Sequence, residues 1–101
     1  MAKVRVSGRD EVPAGQGRVV EAGGKTIALF NVEGTFYAMD NMCIHRGGPL
    51  GDGDLEGTTV ICPWHAWRWD VRTGANANNP AVRIPCFPVT VEGADVFVEV
   101  P

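Results

Sequence analysis

Thr26-Ile27-Ala28-Leu29-Phe30-Asn31-Val32-Glu33-Gly34-Thr35-Phe36-Tyr37-Ala38-Met39 is the stretch that decides the fold class. Two apolar runs of strand length, rich in aromatic and β-branched side chains, flank a Glu-Gly pair. That pattern reads as a hairpin closed by a tight turn. Working outward, Lys3-Val4-Arg5-Val6 alternates, and Arg18-Val19-Val20-Glu21 runs into a turn at Gly23-Gly24. Thr58-Thr59-Val60-Ile61 is a further strand, and Trp67-Arg68-Trp69-Asp70-Val71 alternates apolar with charged residues. Phe87-Pro88-Val89-Thr90-Val91 and Val96-Phe97-Val98-Glu99-Val100 make a last hairpin across Glu92-Gly93-Ala94-Asp95. The segments 40–57 and 74–80 carry Gly, Asp, Asn and Pro without a period and read as loops. No apolar stripe holds a helical period for three turns. The expectation is an all-β antiparallel sandwich or small barrel, with residues 1–101 as one domain.

Composition bounds the function. The chain has 101 residues, 45% of them hydrophobic and 21% charged, and a formal charge of −3. Its nine cations are scattered singly, so no nucleic-acid partner is expected. No apolar run reaches the roughly 20 residues of a membrane helix, so no membrane partner is expected either. Met1-Ala2-Lys3-Val4-Arg5-Val6 alternates charge with valine and does not read as a signal peptide. With three cysteines and no secretory segment, the expectation is a reducing, cytoplasmic compartment, where metal or redox chemistry is commoner than a disulfide framework.

Both histidines stand beside cysteines, as Cys43-Ile44-His45 and Cys62-Pro63-Trp64-His65. Four soft or borderline ligands in two chelating halves suit a thiophilic metal or an iron–sulfur cluster. A Cys43–Cys62 disulfide leaves the histidines unexplained. A structural zinc module fits the ligand set, but zinc fingers usually pair Cys with Cys and His with His. Here each half mixes the two, as a [2Fe–2S] cluster with two cysteines on one iron and two histidines on the other requires.

At this point the chain resembles the Rieske family. Cys43-Ile44-His45-Arg46-Gly47-Gly48-Pro49-Leu50 is similar to its first cluster loop and Cys62-Pro63-Trp64-His65-Ala66-Trp67-Arg68-Trp69-Asp70 to its second. The likeness continues through Thr73-Gly74 and Asn79-Pro80-Ala81, a proline-containing loop over the cluster. The resemblance implies a Rieske-like β-sandwich with a small cluster-binding subdomain of two loops, about residues 41–82. It implies one [2Fe–2S] cluster, with Cys43 and Cys62 on one iron and His45 and His65 on the other. Gly47, Gly48 and Gly51 would let the loop backbone approach the sulfurs. Pro49-Leu50 and Pro80 would form an apolar rim around the histidines, with Arg46 next to a ligand. Trp67 and Trp69 would share one strand face. Cys86, without a histidine partner, reads as a small core residue rather than a ligand.

Membrane-bound respiratory members of the family carry two further cysteines that form a disulfide; the matching positions here are Gly48 and Trp64. Those proteins also place a serine and a tyrosine whose hydroxyls bond to cluster sulfur, where this chain has Trp67 and Trp69. Loss of those hydroxyls puts the expected potential near the low end of the Rieske range, roughly −150 mV. These departures resemble the soluble Rieske-type ferredoxins of bacterial ring-hydroxylating dioxygenases. The resemblance implies a one-electron carrier and not an enzyme, with a flavin-dependent reductase and a terminal oxygenase as transient partners. No histidine is left over for a mononuclear iron site. The alternative within the family is the small Rieske subunit of an assimilatory nitrite reductase. Two ferric ions, two sulfides and two thiolates cancel in charge. The oxidised holoprotein therefore keeps the formal −3, which favours partners with some positive charge on their docking faces.

Overall fold

A computed structural model describes residues 2–41, 49–63 and 67–100. They form ten strands: β1 (Ala2–Gly8), β2 (Gln16–Ala22), β3 (Lys25–Val32), β4 (Thr35–Asp40), β5 (Asp54–Glu56), β6 (Thr59–Ile61), β7 (Arg68–Asp70), β8 (Cys86–Phe87), β9 (Val89–Glu92) and β10 (Asp95–Val100). Single 3-10 turns cover Arg9–Glu11 and Leu50–Asp52. The strands make three sheets, ordered β1-β10-β9, β2-β3-β4-β8 and β5-β6-β7. Every strand pair among the described residues is antiparallel. The all-β antiparallel expectation is thus met.

The β3–β4 hairpin forms where expected. Val32 pairs with Thr35, and the two residues between them, Glu33 and Gly34, have φ of 51° and 93°. Two successive positive φ values turn the chain with the twist of the flanking strands. The second position is glycine, which adopts that conformation without a Cβ clash.

The unbroken apolar run Ile27-Ala28-Leu29-Phe30 has a packing cause. Ile27 and Leu29 join Val20, Ala22, Phe36, Ala38, Val96, Val98 and Val100 in one core, on the side of β1-β10-β9. Ala28 and Phe30 join Met39, Leu50, Val60, Cys62, Trp69, Val71 and Ile84 in a second, on the side of β5-β6-β7. The middle sheet therefore lies between the other two, and β3 is buried on both faces, so it has no polar side to alternate with.

Three details differ from the sequence expectation. Residues 40–57 are not all loop: β5 pairs with β6, Leu55 opposite Val60, across a turn in which Gly57 has φ 61°. The run 87–91 is split at Pro88, which has no N–H to give to a ladder. Phe87 pairs with Ala38 in the middle sheet, whereas Val89 pairs with Val98 in the first. Cys86 is not a core residue: it is exposed at the start of β8, with Sγ 3.7 Å from the Ile84 carbonyl oxygen. The neighbouring residue Phe87 is the one packed against the first core.

Candidate metal centre

The small sheet β5-β6-β7 is the platform of the site. β6 ends at Ile61, and β7 begins at Arg68. The Cys62 N–H donates to the Trp67 carbonyl oxygen at 2.7 Å, which closes this loop at its base. Cys62 is 1% exposed and packs in the second core.

The other loop is closed by Asn41, just beyond β4. Its carbonyl oxygen accepts the Leu50 N–H at 2.8 Å, and its Oδ1 accepts the Gly51 N–H at 2.8 Å. Asn41 is itself anchored, since its N–H donates to the Thr26 carbonyl oxygen at 3.2 Å. The closing ends of the two loops converge. Leu50 and Cys62 share one buried cluster, and a Cβ on Gly53 would stand 2.3 Å from the Ile61 carbonyl oxygen. Any side chain at Gly53 would push the first loop off the second.

Of the four ligands expected from the sequence, the structure places Cys62. Cys43 and His45, with Arg46, Gly47 and Gly48, fall in 42–48, and His65 with Trp64 falls in 64–66; all lie outside the described residues. One rim assignment changes. Leu50 is completely buried, because it is the residue that plugs the second core below the loop. Gly51 is also in close contact with β2, where a Cβ would meet the Val19 backbone nitrogen at 2.8 Å. Pro80 is exposed, as a rim residue should be.

Trp67 and Trp69 share a face, as their spacing implies. Their ring centroids are 6.1 Å apart with planes tilted by 33°. Trp69 is completely buried, and Trp67, at 36% exposure, carries the aromatic surface outward. Beside Trp67 a groove of about 200 Å³ is lined also by Asn76, Asn78, Asn79 and Val82.

Sequence reading missed the residues that hold these loops. Besides Asn41, Asn76 is buried, and its Oδ1 accepts the N–H groups of Asn78 and Asn79 at 2.9 and 3.0 Å. Asn76 also pairs with Trp69 through the backbone, which fastens the proline-containing loop to β7. The available signal was an Asn just after a strand or just before a Gly- and Pro-free turn, where its side chain can bond to nearby backbone. At the end of β7 the Asp70 carboxylate accepts bonds from the Arg72 backbone N–H (2.8 Å) and guanidinium (2.9 and 3.1 Å). The Arg72 side chain holds the Asp70 carboxyl below its ordinary range.

The donor set fits an iron–sulfur group. A buried cysteine sits in an apolar cluster at the end of a strand, with a second pinned loop converging on it. Among the described residues, the buried Trp69 Nε1–H finds no acceptor, and a sulfur-bearing group in the site would offer one.

The model of the Rieske [2Fe–2S] domain family matches residues 2–88. The chain is 41% identical over 91 residues to the ferredoxin component of the naphthalene 1,2-dioxygenase/salicylate 5-hydroxylase systems of a Ralstonia species, covering 89% of this chain and 88% of that one. Among solved structures, a chain in the complex of reduced oxygenase and oxidized ferredoxin of carbazole 1,9a-dioxygenase superposes with a TM-score of 0.86 at 31% identity, covering 95% of this chain and 91% of that one. The small subunit of a putative NADH-dependent nitrite reductase from Mycobacterium tuberculosis has the same fold, with a TM-score of 0.90 over 99% of this chain and 96% of that one. Its identity is 22%, so that likeness carries the fold alone. The chain belongs to the Rieske [2Fe–2S] domain family. It is a ferredoxin-type electron carrier with a single Rieske [2Fe–2S] cluster. No helix among the described residues is long and apolar enough to cross a membrane.

Proposed function

We propose that this ferredoxin passes single electrons from a flavin-dependent reductase to the terminal oxygenase of an aromatic-ring dioxygenase system, working in the cytoplasm as one domain of residues 1–101. The observation that carries the reading is the convergence of the two pinned loops, Leu50 and Cys62 in one buried cluster, beneath an exposed aromatic. The 41% identity to a dioxygenase ferredoxin over most of both chains supports the choice of system.

Cys43 and Cys62 would hold one iron and His45 and His65 the other, and the group would supply one-electron chemistry. The protein's own residues do the rest. Val60, Leu50 and Trp69 surround Cys62 with apolar bulk and keep water from its thiolate side. Asn41 and Asn76 fix the loop stems, so little rearrangement accompanies the electron. Trp67 and the groove beside it offer a small apolar face for a partner. Redox encounters of this kind bury less than ~1,200 Å² and dissociate readily.

The test is reconstitution. Purified protein should carry one electron per molecule from a flavin reductase to an aromatic-ring oxygenase, with turnover proportional to ferredoxin at low concentration. Stable co-purification with a nitrite reductase large subunit, and no transfer to the oxygenase, would contradict the assignment.

A further inference from the structure

Trp69 is completely buried, and its Nε1–H is the sole buried side-chain donor or acceptor without a partner among the described residues. A buried N–H without a partner is left with its desolvation cost uncompensated, so a donor kept in such a place calls for an acceptor. The strand register says where the indole lies. Val60 pairs with Trp69 and Ile61 with Arg68, and the next pair is Cys62 with Trp67, joined by the 2.7 Å bond. Directly opposed residues of an antiparallel pair point to the same face, so Val60, Cys62, Trp67 and Trp69 share one. Trp69 and Cys62 are diagonal neighbours, a relation of about 7–8 Å that a long aromatic side chain bridges. Both belong to the same buried cluster, whose other buried members are hydrocarbon side chains and Met39, a thioether that is only a weak acceptor.

We infer that the Trp69 indole N–H donates a hydrogen bond to a sulfur of the [2Fe–2S] centre, either the Cys62 thiolate or a bridging sulfide, and thereby raises its reduction potential. This rests on the reading that Cys62 is a cluster ligand. The sign follows from charge. One-electron reduction by the flavin reductase adds a negative charge, and a hydrogen bond to sulfur strengthens as that charge grows. The reduced form gains more than the oxidised form, so the potential rises. Trp69 thus restores part of what is lost with the family's sulfur-bonding hydroxyls, and the potential lies above the one set by ligand type alone. Trp69 is a positioning and tuning residue, not a ligand.

The test uses the holoprotein with indole-15N tryptophan, reduced and measured by ENDOR, together with redox titration. The native protein should show a coupled indole nitrogen and an exchangeable deuteron after transfer to deuterium oxide. Trp69→Phe should lose both. At a fixed ambient potential its ratio of reduced to oxidised cluster should fall about tenfold, equivalent to about 59 mV for one electron. Phenylalanine also leaves a void, so a second variant carries benzothienylalanine at position 69, in which sulfur replaces the N–H at nearly constant shape. It should show the same fall, and it decides the matter if the phenylalanine variant takes up no cluster. An indole coupling that persists in Trp69→Phe, or a potential unchanged in the isostere variant, would overturn the inference. The EPR signal of the cluster itself reports the ligand set independently: its loss from the native protein would count against the ligands, not against Trp69 alone.

Discussion

Asn41 accepts the Gly51 N–H on its side-chain oxygen at 2.8 Å while its carbonyl oxygen holds the adjacent Leu50. One residue thus closes the loop that contains Cys43 and His45. Asn41→Ala removes the side-chain acceptor and should cost about 1–2 kcal/mol. Thermal unfolding of the holoprotein should show it, and cluster release to a chelator should speed up by severalfold. Asn41→Asp keeps an acceptor and should recover most of both. Release kinetics equal to native in Asn41→Ala would show that the loop does not depend on this bond.

Asn76 has the same role on the other side. Its Oδ1 serves two N–H groups from a buried position, so Asn76→Ala should destabilise by about 2–3 kcal/mol. Hydrogen exchange at Asn78 and Asn79 should accelerate more than exchange in the β3–β4 hairpin. Uniform acceleration across the chain would argue for global destabilisation instead.

Trp67 is a test of the docking face. Trp67→Ala removes exposed aromatic surface together with the ring contact to Trp69, so rates are compared per bound cluster. Electron transfer to the oxygenase should weaken by about tenfold, the value of about 1.4 kcal/mol at an interface anchor. The effect should appear in the ferredoxin concentration giving half-maximal rate. An unchanged concentration dependence would move the docking face elsewhere.

Asp70 supplies a pH dependence. Bonds from Arg72 lower its pKa in the folded chain, below the roughly 3.9 of an unfolded aspartate. Its contribution is therefore present above about pH 4 and lost as pH falls through the folded value. The pair is partly exposed, at 27% for Asp70 and 55% for Arg72, so its worth is at most about 1 kcal/mol. Asp70→Asn should be less stable than native by that amount at pH 7, and the gap should close below pH 4. A gap constant with pH would assign the loss to something other than the carboxylate charge.

Much of this was legible in the sequence. The β3–β4 hairpin could be read because Glu33-Gly34 carries its own local instruction, a pair of positive φ values. The ligand pattern could be read because mixed Cys-His halves are chemically specific. Other features depend on long-range packing. A strand of three residues such as Asp54–Glu56 has too short a period to register, and it exists because Leu55 can lie opposite Val60. Leu50 looks like an exposed loop residue after Pro49, yet the space under the loop draws it into the core. Cys86 and Phe87 stand side by side, and only the pairing with Met39 and Ala38 decides which faces inward. Asn41 and Asn76 act through side chain to backbone bonds, which leave no periodic trace.

Mixed ligation is the central claim, and EPR of the dithionite-reduced protein, alongside iron and sulfide analysis, tests it most directly. The account predicts two irons and two sulfides per chain and a signal whose average g lies below that of all-cysteine [2Fe–2S] clusters. It predicts loss of that signal in His45→Ala and His65→Ala and its retention in Cys86→Ser. A colourless zinc protein, an all-cysteine signal, or loss of the cluster in Cys86→Ser would contradict it.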